Sequence, residues 1–415
     1  MKKEIIIVGG GIIGLSCAYF LNKSGHKVTV IDQSKMDGGA SYINAGYLAP
    51  SHMIPLAAPG VMKQGIKWMF NVKSPLYIKP RLDPEFLKWS LAFNRSCNAK
   101  HVERSIPIMK DIAVLGRDLY SQIKEEEGFN FQLEKKGLFM LCQSEETLHH
   151  EDELVQIALK EGLVARTISK EEVQKMMPKA HLDIVGASYF ECDHHTTPGE
   201  FMSELKAHLI QEGVAIRQEE RVVDLEVSGN KITSVTTSKG VLKADEYVLA
   251  AGSWSTALSR KLGLKILLQA GKGYRIETKT ETGITYPSIL AEAKIAITPM
   301  NGFTRFGGTM EIAGINHSIN GQRVDAIAES VSKYFPKVQV TQEEKANAAC
   351  GLRPVSPDGM PYIGKSKKCA NLTIATGHAM MGWSLGPSTG KLVQEIIDEV
   401  KPSVAMELFH PDRRF

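Results

Sequence analysis

The 415-residue sequence has no hydrophobic run as long as a membrane helix needs, which is about 20 consecutive apolar residues. Lys2 and Lys3 precede an apolar segment at residues 5–8, but glycines interrupt it before it reaches the length of a signal-peptide core. We therefore expect a cytoplasmic protein. The net charge of +4 is compatible with a peripheral position at the inner face of the membrane, and that alternative stays open.

Cysteine is also scarce, and the charges nearly balance. The six cysteines lie far apart, with no spacing typical of a zinc site, a disulfide framework or a Cys-x-x-Cys redox pair. The 50 basic side chains stand against 46 acidic ones, and no dense basic stretch with interleaved aromatic residues indicates a nucleic-acid groove. We therefore expect no metal, no nucleic-acid partner and a reducing compartment.

What the sequence does have is a glycine-rich turn near its start. Gly9, Gly11 and Gly14 separate the apolar run at residues 5–8 from a helical pattern at residues 15–21. In a dinucleotide site the first glycine permits the turn, the second lets the backbone approach a pyrophosphate, and the third lets the helix pack on the strand. The helix directs free N–H groups and its positive end at the phosphates. The pattern therefore predicts a nucleotide site.

The residues after this helix complete the same unit. Gly25 is typical of a left-handed residue that ends a helix. The strand predicted at residues 27–31 ends at Asp32, about 20 residues beyond the glycines, where a carboxylate can hold a ribose hydroxyl. Small-residue loops at 37–41 and 44–46 suit a backbone that runs close to an extended cofactor. An α/β turn without a nucleotide is the alternative, and the agreement of the whole unit favours the cofactor.

Helix and strand patterns alternate through the middle of the chain. The apolar strand at 247–251 should return the chain to the nucleotide domain, because a strand with two apolar faces belongs inside a covered sheet. Alternating patterns at 265–312 indicate an antiparallel sheet that carries a substrate face. Helices are predicted at residues 99–127, 146–160 and 200–211, and hairpin strands at 222–227, 231–238 and 241–244.

A second informative cluster lies near the C-terminus. A predicted strand at 372–375 leads through a small-residue loop at 376–387 into a helix at 388–399. This order again places a positive helix end at a ligand. Reduced flavin gathers negative charge near N1 and the C2 carbonyl, which a helix N-terminus stabilises by about 1 kcal/mol, whereas reduced nicotinamide is neutral. The cluster therefore favours FAD over NAD.

Several segments together resemble the D-amino acid dehydrogenases. These enzymes belong to the larger family of flavin amine oxidoreductases that includes D-amino acid oxidase, glycine oxidase and sarcosine oxidase. The resemblance covers nearly the whole chain, and the sequence departs from the pattern at Tyr47 and at residues 193–198, which concerns the substrate more than the chemistry. The segments that carry the resemblance are residues 44–46, 57–61 with 66–70, 272–274, 351–361, 376–378 and 382–383.

The resemblance implies a fold, a cofactor and a reaction. The fold would be α/β, with a glutathione-reductase-like Rossmann FAD domain and a second, mainly antiparallel β-sheet domain with helices that binds substrate. FAD would be non-covalent. A D-amino acid would lose its α-hydrogen as hydride to flavin N5, and water would hydrolyse the imino acid to a 2-oxo acid and ammonia. The expected discontinuous domains are residues 1–50, 150–264 and 340–415 for FAD, and 51–149 and 265–339 for substrate.

Arg353 is the residue that we expect to hold the substrate carboxylate. A guanidinium binds a carboxylate through two parallel hydrogen bonds, and the resemblance implies that the arginine of this Gly-Leu-Arg-Pro motif contacts substrate. The alternative is a structural arginine paired with Asp358. Tyr274 would supply a hydroxyl to the carboxylate or amine, against the alternative of a packed β-sheet tyrosine. His378 would bind the flavin or line the pocket, or be satisfied by local backbone, and we do not expect it to shuttle protons.

The remaining expected site residues are grouped by ligand. Tyr47 and His52 are expected near the substrate, while the adjacent His194 and His195 are more typical of solvated side chains, and their part in the site is open. The cofactor set contains two tryptophans, Trp254 and Trp383, which are more typical of core or cofactor packing than of substrate contact. The expected cofactor residues are Gly9, Gly11, Ile12, Ile13, Gly14, Asp32, Gln33, Ala40, Ser41, Asn44, Ala45, Gly46, Val222, Ala251, Gly252, Trp254, Gly351, Arg353, Gly377, His378, Gly382, Trp383, Ser384 and Leu385.

Two functions of different classes fit this sequence. The first is an FAD-dependent D-amino acid dehydrogenase, including one that prefers D-proline or hydroxy-D-proline. The second is a flavin-binding sensor without turnover; a sensor needs no carboxylate clamp, so Arg353 favours the enzyme. Within the enzyme class, the rival is a glycine- or sarcosine-type oxidase that uses oxygen. No short motif encodes the electron acceptor, which would be a quinone, an electron carrier or oxygen.

Overall fold

The computed structural model of the protein describes residues 2–62, 74–79 and 81–415. Segment 66–70, which carries part of the resemblance, lies outside these residues. The helices of the described residues are α1 (Ile12–Lys23), α2 (Ala40–Ile43), α3 (Pro84–Ser96), α4 (Ala99–Glu127), α5 (Glu145–Lys160), α6 (Lys170–Met176), α7 (Pro198–Gln211), α8 (Ser255–Lys261), α9 (Gly321–Tyr334), α10 (Gln342–Ala346) and α11 (Gly386–Ile397).

The strands fall into four sheets. The first twelve in chain order are β1 (Glu4–Val8), β2 (Lys27–Ile31), β3 (Tyr47–Leu48), β4 (Leu76–Ile78), β5 (Leu133–Glu134), β6 (Leu138–Cys142), β7 (Ala165–Ser169), β8 (Gly186–Phe190), β9 (His194–Thr196), β10 (Ala215–Arg217), β11 (Val222–Ser228) and β12 (Lys231–Thr237). The next nine are β13 (Gly240–Leu242), β14 (Glu246–Leu249), β15 (Gln269–Thr278), β16 (Ser288–Leu290), β17 (Ile295–Met300), β18 (Phe303–Ile312), β19 (Ala349–Val355), β20 (Tyr362–Lys365) and β21 (Leu372–Thr376).

A six-stranded sheet holds the start of the chain. Its order is β10-β2-β1-β14-β21-β20, and only the last pair is antiparallel. Side chains alternate across β1, so that Ile7 packs with residues of α1 and α11 while Ile6 and Val8 pack into the core on the other face. Both faces are buried, which explains the uninterrupted apolar run. The predicted return of the chain is confirmed, because β14 pairs in parallel with β1.

The second sheet has nine strands and is mainly antiparallel. Its path is β19-β15-β18-β17-β16-β6-β8-β7, with β4 paired to β18. Helix α9 packs against it, where Ile327 and Val331 join Ile276 and Phe306 in one buried cluster. The expected α/β class with a mainly antiparallel second sheet is confirmed.

The strand pairing departs from the expected domain division. That division assigns β7 and β8 to the FAD part, but both lie in the nine-stranded sheet, where β8 pairs with β6. Strand β19, assigned to the same part, pairs with β15. These pairings bear on where the domain boundaries run, because the residues of a strand do not identify the strand beside it. The division into two domains itself stays a prediction.

Two small sheets complete the fold. One has the order β11-β12-β13 and confirms the predicted hairpins, and the other has the order β3-β9-β5. The long helix α4 ends as predicted, with Gly128 as its left-handed cap at φ +68°. Across the described ranges, no helix combines the length and apolar character that a membrane crossing requires.

Candidate cofactor and substrate site

The glycine turn after β1 is closed by contacts that exclude larger side chains at two of its three positions. Gly9 has φ +114°, and its N–H donates to the Ile31 carbonyl at 2.8 Å. A Cβ on Gly14 would lie 1.8 Å from the Gly9 carbonyl oxygen. A Cβ on Gly11 would meet only Ser41 Oγ, at 3.2 Å. Gly9 and Gly14 are therefore required by the fold, whereas the space at Gly11 is left for a ligand.

Asp32 lies beside this turn, as its position at the end of β2 predicts. Its Oδ2 accepts a hydrogen bond from the Gly10 N–H at 2.7 Å, and its Oδ1 accepts from the Ser34 N–H at 2.8 Å. Asp32 is partly exposed, and Gln33 is exposed. The carboxylate is thus fixed at the edge of the turn, within the nucleotide unit that the sequence predicts.

Helices α1 and α11 run side by side in the same direction. A Cβ on Gly386, at the start of α11, would lie 2.6 Å from Ile12, at the start of α1. At the other ends, Ser24 Oγ donates to Asp398 at 2.5 Å. Neither helix has a side-chain cap at its N-terminus. Two positive helix ends therefore meet at one place, which fits an extended anionic cofactor such as a dinucleotide.

The loop at 44–46 is tied down by the nine-stranded sheet. Arg305 Nη1 donates to the Asn44 carbonyl at 2.6 Å, and Thr298 Oγ1 donates to the Ala45 carbonyl at 2.7 Å. Gly46 has φ +73°, and a Cβ there would lie 2.2 Å from the Thr196 carbonyl oxygen. The loop is thus fixed between the nine-stranded sheet and strand β9 of the small β3-β9-β5 sheet.

Tyr47 and the tryptophan-containing segment hold the same loop from the other side. Ser384 Oγ donates to the Tyr47 carbonyl at 2.8 Å. The Tyr47 hydroxyl donates to the carbonyls of Ser288 and Ile297 at 2.8 and 2.9 Å, so it is occupied by the sheet. Trp383 donates from Nε1 to Thr196 at 2.9 Å and is buried, which agrees with its core interpretation.

Strand β19 brings the distant cofactor segments together. A Cβ on Gly351 would lie 2.7 Å from Ile43 and 3.0 Å from the Ala40 Cα. Ser253 Oγ donates to the Leu352 carbonyl at 3.4 Å, and Val355 forms an isolated bridge with His378. The segments near residues 40, 253, 351 and 378 therefore surround one strand, although they are far apart in the sequence.

The Arg353 side chain lies flat over the backbone of β15. A Cβ on Gly273 would lie 2.0 Å from Arg353 Nη1, so only glycine leaves room for the guanidinium. Nη1 donates to the Thr309 carbonyl at 2.9 Å. Among the described residues, no carboxylate pairs with Arg353, and desolvation lowers its pKa to about 10. A desolvated guanidinium with unused donors is suited to bind an anion.

The alternative partner for Arg353 is engaged elsewhere. Asp358 Oδ2 accepts from Arg413 Nε at 2.6 Å, and Oδ1 accepts from Arg413 Nη2 at 2.9 Å. Arg413 also lies over the ring of Tyr362, 3.9 Å from its centroid. The interpretation of Arg353 as the partner of Asp358 is therefore wrong.

Tyr274 does not reach Arg353. Its hydroxyl donates to Glu311 Oε2 at 2.6 Å, and Glu311 Oε1 lies 3.2 Å from Lys272 Nζ. Side chains alternate along β15, so Tyr274 lies on the face opposite the one that Arg353 covers at Gly273. The packed β-sheet tyrosine is the alternative that this geometry supports, and the expected contact with substrate is corrected.

His378 is buried against α11. It is 2% exposed, and its Nε2 lies 2.9 Å from Thr389 Oγ1. Burial lowers the pKa of His378 to about 3, so the ring is neutral under ordinary conditions. Its partner is a side chain of α11 rather than local backbone. The expectation that it shuttles no proton agrees with this environment.

The other candidate histidines lie around the small sheet that contains β3 and β9. The Nδ1 of His52 is 3.0 Å from Ser51 Oγ, and Ser51 donates to the buried Asp193 through both N and Oγ. Burial lowers the pKa of His52, His194 and His195 to about 4 in each case. His195 is fully buried, so the interpretation of a solvated loop is wrong for it.

For several of the expected cofactor residues, contact with the cofactor stays a prediction. Val222 begins an edge strand of the β11-β12-β13 sheet, and Gly377 has φ +82° directly after β21. Trp254 stacks on His317 with ring centroids 6.3 Å apart. Leu385 is fully buried. Ala251 and Gly252 follow β14, and Gly382 follows the short turn after His378.

Three positions that shape the candidate site were not identified from the sequence. Arg305 and Arg413 are single arginines whose partners lie far away in the chain, so no local spacing identifies them. Thr309 lies in a sequence segment that is typical of a β-strand, but the backbone φ of Thr309 is +61°. A positive φ at a β-branched residue has no sequence signal, because glycine or asparagine is the usual occupant.

Comparisons with a family model, with a sequence relative and with solved structures each match nearly the whole chain. The model of the DAO family, described as FAD dependent oxidoreductase, matches residues 4–396. The D-amino acid dehydrogenase of Helicobacter pylori is 31% identical over 398 residues, which cover 95% of each chain. Glycine oxidase from Geobacillus kaustophilus has a TM-score of 0.79 at 20% identity, over 100% of this chain and 99% of that one. L-proline dehydrogenase from P. horikoshii has a TM-score of 0.76 at 20% identity, over 99% and 97%.

Proposed function

Because this chain belongs to the DAO family of FAD dependent oxidoreductases, we propose that it oxidises D-amino acids to 2-oxo acids and ammonia. The observation that carries the proposal is Arg353, a desolvated guanidinium that, among the described residues, donates to the Thr309 carbonyl and pairs with no carboxylate. A binding protein without turnover needs no such anion site. The name of the Helicobacter pylori relative supports D-amino acids as the substrate class.

The two helix ends and the glycine turn are suited to hold FAD. The N-terminus of α1 and the open space at Gly11 would take the pyrophosphate, and Asp32 would take the ribose. The N-terminus of α11 and the backbone at 44–46 would lie along the flavin. When bound, FAD supplies the two-electron oxidant that takes the α-hydrogen of the amino acid as hydride. We propose that it is held without a covalent bond.

The protein's own contribution is orientation and charge. Arg353 would bind both oxygens of the carboxylate, and the pocket beside it would hold the α-carbon within about 3 to 3.5 Å of the oxidant. The amine must be neutral when hydride leaves, so that its lone pair can form the C=N bond. The ammonium group of the amino acid therefore first gives one proton to solvent, the α-carbon then gives up a hydride with two electrons, and water adds to the resulting iminium to release the 2-oxo acid and ammonium. No side chain has to form a covalent bond with the substrate.

Finer features of the substrate and partners are part of the same proposal. We propose a preference for D-proline or hydroxy-D-proline as substrate and a quinone or electron carrier as electron acceptor. The proposed location is the cytoplasm, with peripheral contact at the membrane. A glycine- or sarcosine-type oxidase is the alternative that the acceptor test would reveal.

The test is anaerobic flavin reduction by the purified yellow holoenzyme. A panel of D- and L-amino acids, glycine, sarcosine and hydroxy-D-proline is mixed with it, and the decay of flavin absorbance gives each rate. D-amino acids should bleach the flavin fastest, and faster reduction by their L-enantiomers would contradict the proposal. Reoxidation is then followed with oxygen and with a quinone analogue. Rapid reoxidation by oxygen alone would identify the oxidase.

A further inference from the structure

Strand β18 contains a bulge directly opposite the glycine under Arg353. Lys272 pairs with Glu311 and Tyr274 pairs with Gly308, so two residues of β18 face the single residue Gly273. The first of these two is Thr309, with φ +61°. A β-branched residue is strained in this region of backbone conformation, and such strain is concentrated at functional sites. Bulges also redirect side chains next to active sites.

The two polar groups of Thr309, its carbonyl and its hydroxyl, differ in their hydrogen bonding. Its carbonyl accepts the hydrogen bond from Arg353 Nη1 at 2.9 Å. Its hydroxyl is buried and has no hydrogen-bond partner among the described residues, and the residue as a whole is 8% exposed. A buried hydroxyl without a partner is unfavourable, so natural structures usually pair it with protein, water or ligand.

The neighbourhood of the hydroxyl indicates what the partner would be. Arg353 is the charged group that is hydrogen-bonded to this residue, and it has no carboxylate of its own among the described residues. The carbonyl that it binds belongs to the same residue as the unpaired hydroxyl. An unpaired hydroxyl and a guanidinium that is bonded to the same residue together suit a group with two accepting oxygens. A carboxylate meets this requirement, whereas an ammonium group does not.

We propose that the Thr309 hydroxyl is a further substrate-binding group, which donates a hydrogen bond to the carboxylate of the amino acid that Arg353 holds. This inference rests on the proposed function for the identity of the substrate. The left-handed conformation at Thr309 serves to bring carbonyl and hydroxyl to the guanidinium from one residue. The carbonyl orients Arg353, and the hydroxyl completes the set of donors around the anion.

Three variants separate the hydroxyl from the backbone strain. Thr309→Val keeps the shape and the β-branch and removes only the donor. Thr309→Ser keeps the donor. The matched control is Thr233→Val, at an exposed position on β12 in the separate three-stranded sheet. Each purified holoenzyme is tested with D-alanine, with propionate as the same carboxylate without an amine, and with ethylamine as the same amine without a carboxylate.

The readouts are KM for D-alanine, the Kd values of propionate and of ethylamine from the visible spectrum of the bound flavin, and the melting temperature without ligand. Thr309→Val should weaken D-alanine and propionate about tenfold or more, as expected for a lost hydrogen bond to a charged group. Thr309→Ser should stay within about threefold of wild type. The melting temperature of Thr309→Val should not fall, because the unpaired hydroxyl has been removed.

Each other outcome decides against the proposal. Equal propionate binding by wild type and Thr309→Val would overturn it, and a loss confined to ethylamine would assign the hydroxyl to the amine instead. Absence of any propionate or D-alanine signal in the wild type would overturn it together with the proposed function. If no D-amino acid reduces the flavin while propionate still binds, the proposed function fails alone, and the propionate comparison between wild type and Thr309→Val still decides the role of the hydroxyl.

Discussion

Asp358 and Arg413 form a bidentate ion pair, with Nε to Oδ2 at 2.6 Å and Nη2 to Oδ1 at 2.9 Å. The two residues are 55 positions apart, and both are largely buried. Because Asp358 is fully occupied by Arg413, it cannot neutralise Arg353 five residues before it. The guanidinium of Arg353 therefore keeps its capacity to bind an anionic ligand, on which the proposed function depends.

Replacing Arg353 should abolish most of the reaction with amino acids. Arg353→Ala leaves a buried substrate carboxylate without its charged partner, a loss of about 3 to 5 kcal/mol, or about two to four decades in rate. Arg353→Lys should recover only part, because an ammonium lacks the planar fork. Anaerobic stopped-flow reduction by D-alanine measures both variants.

The control for this experiment is Arg413→Lys. It weakens the pair with Asp358, so it should lower the melting temperature while leaving KM for D-alanine near the wild-type value. An Arg353→Ala rate within a few-fold of wild type would refute the assigned role.

Gly11→Val should fold and lose FAD. Among the described residues, a Cβ on Gly11 would meet the end of the Ser41 side chain at 3.2 Å, a contact that a small shift of this side chain relieves, and the branched side chain of valine would occupy the space expected for the pyrophosphate. The ratio of flavin to protein after purification should fall to near zero while the circular dichroism spectrum is unchanged. Gly38→Ala is the matched control, because nothing lies within 4 Å of a Cβ there. A Gly11→Val protein with full flavin content would defeat this assignment.

Tyr274→Phe should affect stability more than catalysis. The hydroxyl is bound to Glu311 on the face of β15 away from Arg353. Its removal leaves a buried carboxylate with one donor fewer, which should cost about 1 to 3 kcal/mol in the free energy of unfolding. KM and kcat for D-alanine should stay within about twofold to threefold of wild type. Urea titration and steady-state kinetics check the two halves, and a large rise in KM would restore Tyr274 to the substrate site.

Buried histidines should make the fold sensitive to acid. Burial lowers the pKa of His195 to about 4 and that of His378 to about 3, against 6.5 for the free side chain. Between these values the unfolded chain binds more protons than the folded one. Their stabilising contribution is therefore complete above about pH 6.5 and decreases as the pH falls, by about 1.4 kcal/mol per pH unit for each histidine.

The measurement is the free energy of unfolding in urea at pH 4.5, 5.5 and 7. Asp193, whose pKa burial raises to about 7, acts in the opposite direction, because it favours the folded state towards lower pH. The difference between wild type and His195→Gln isolates one histidine from that background. The unfolding free energy of His195→Gln should change less steeply with pH in the acid range than that of wild type, by the equivalent of about one proton. The matched control is His149→Gln, at an exposed position. An unchanged slope in His195→Gln would show that the ring titrates normally in the folded protein.

The sequence by itself determined the parts of this protein whose causes are local. The run at residues 5–8, the glycines of the first turn and Asp32 follow each other within about 25 residues, so backbone sterics and helix packing dictate one arrangement. The boundaries of α4 and the hairpins of β11, β12 and β13 follow from caps and turns in the same way. The full-length resemblance added the family and its chemistry.

Only the tertiary structure decided which distant groups meet. The sequence of β8 does not show that this strand pairs with β6, because a strand pattern does not identify the neighbouring strand. Similarly, the type of residue at Arg353 predicted an anion site, but its freedom depends on Arg413, which takes Asp358 from the far end of the chain. The bulge at Thr309 is set by the registers of β15 and β18 together. Contacts between segments far apart in sequence come from the packing of the whole chain, and no local pattern encodes them.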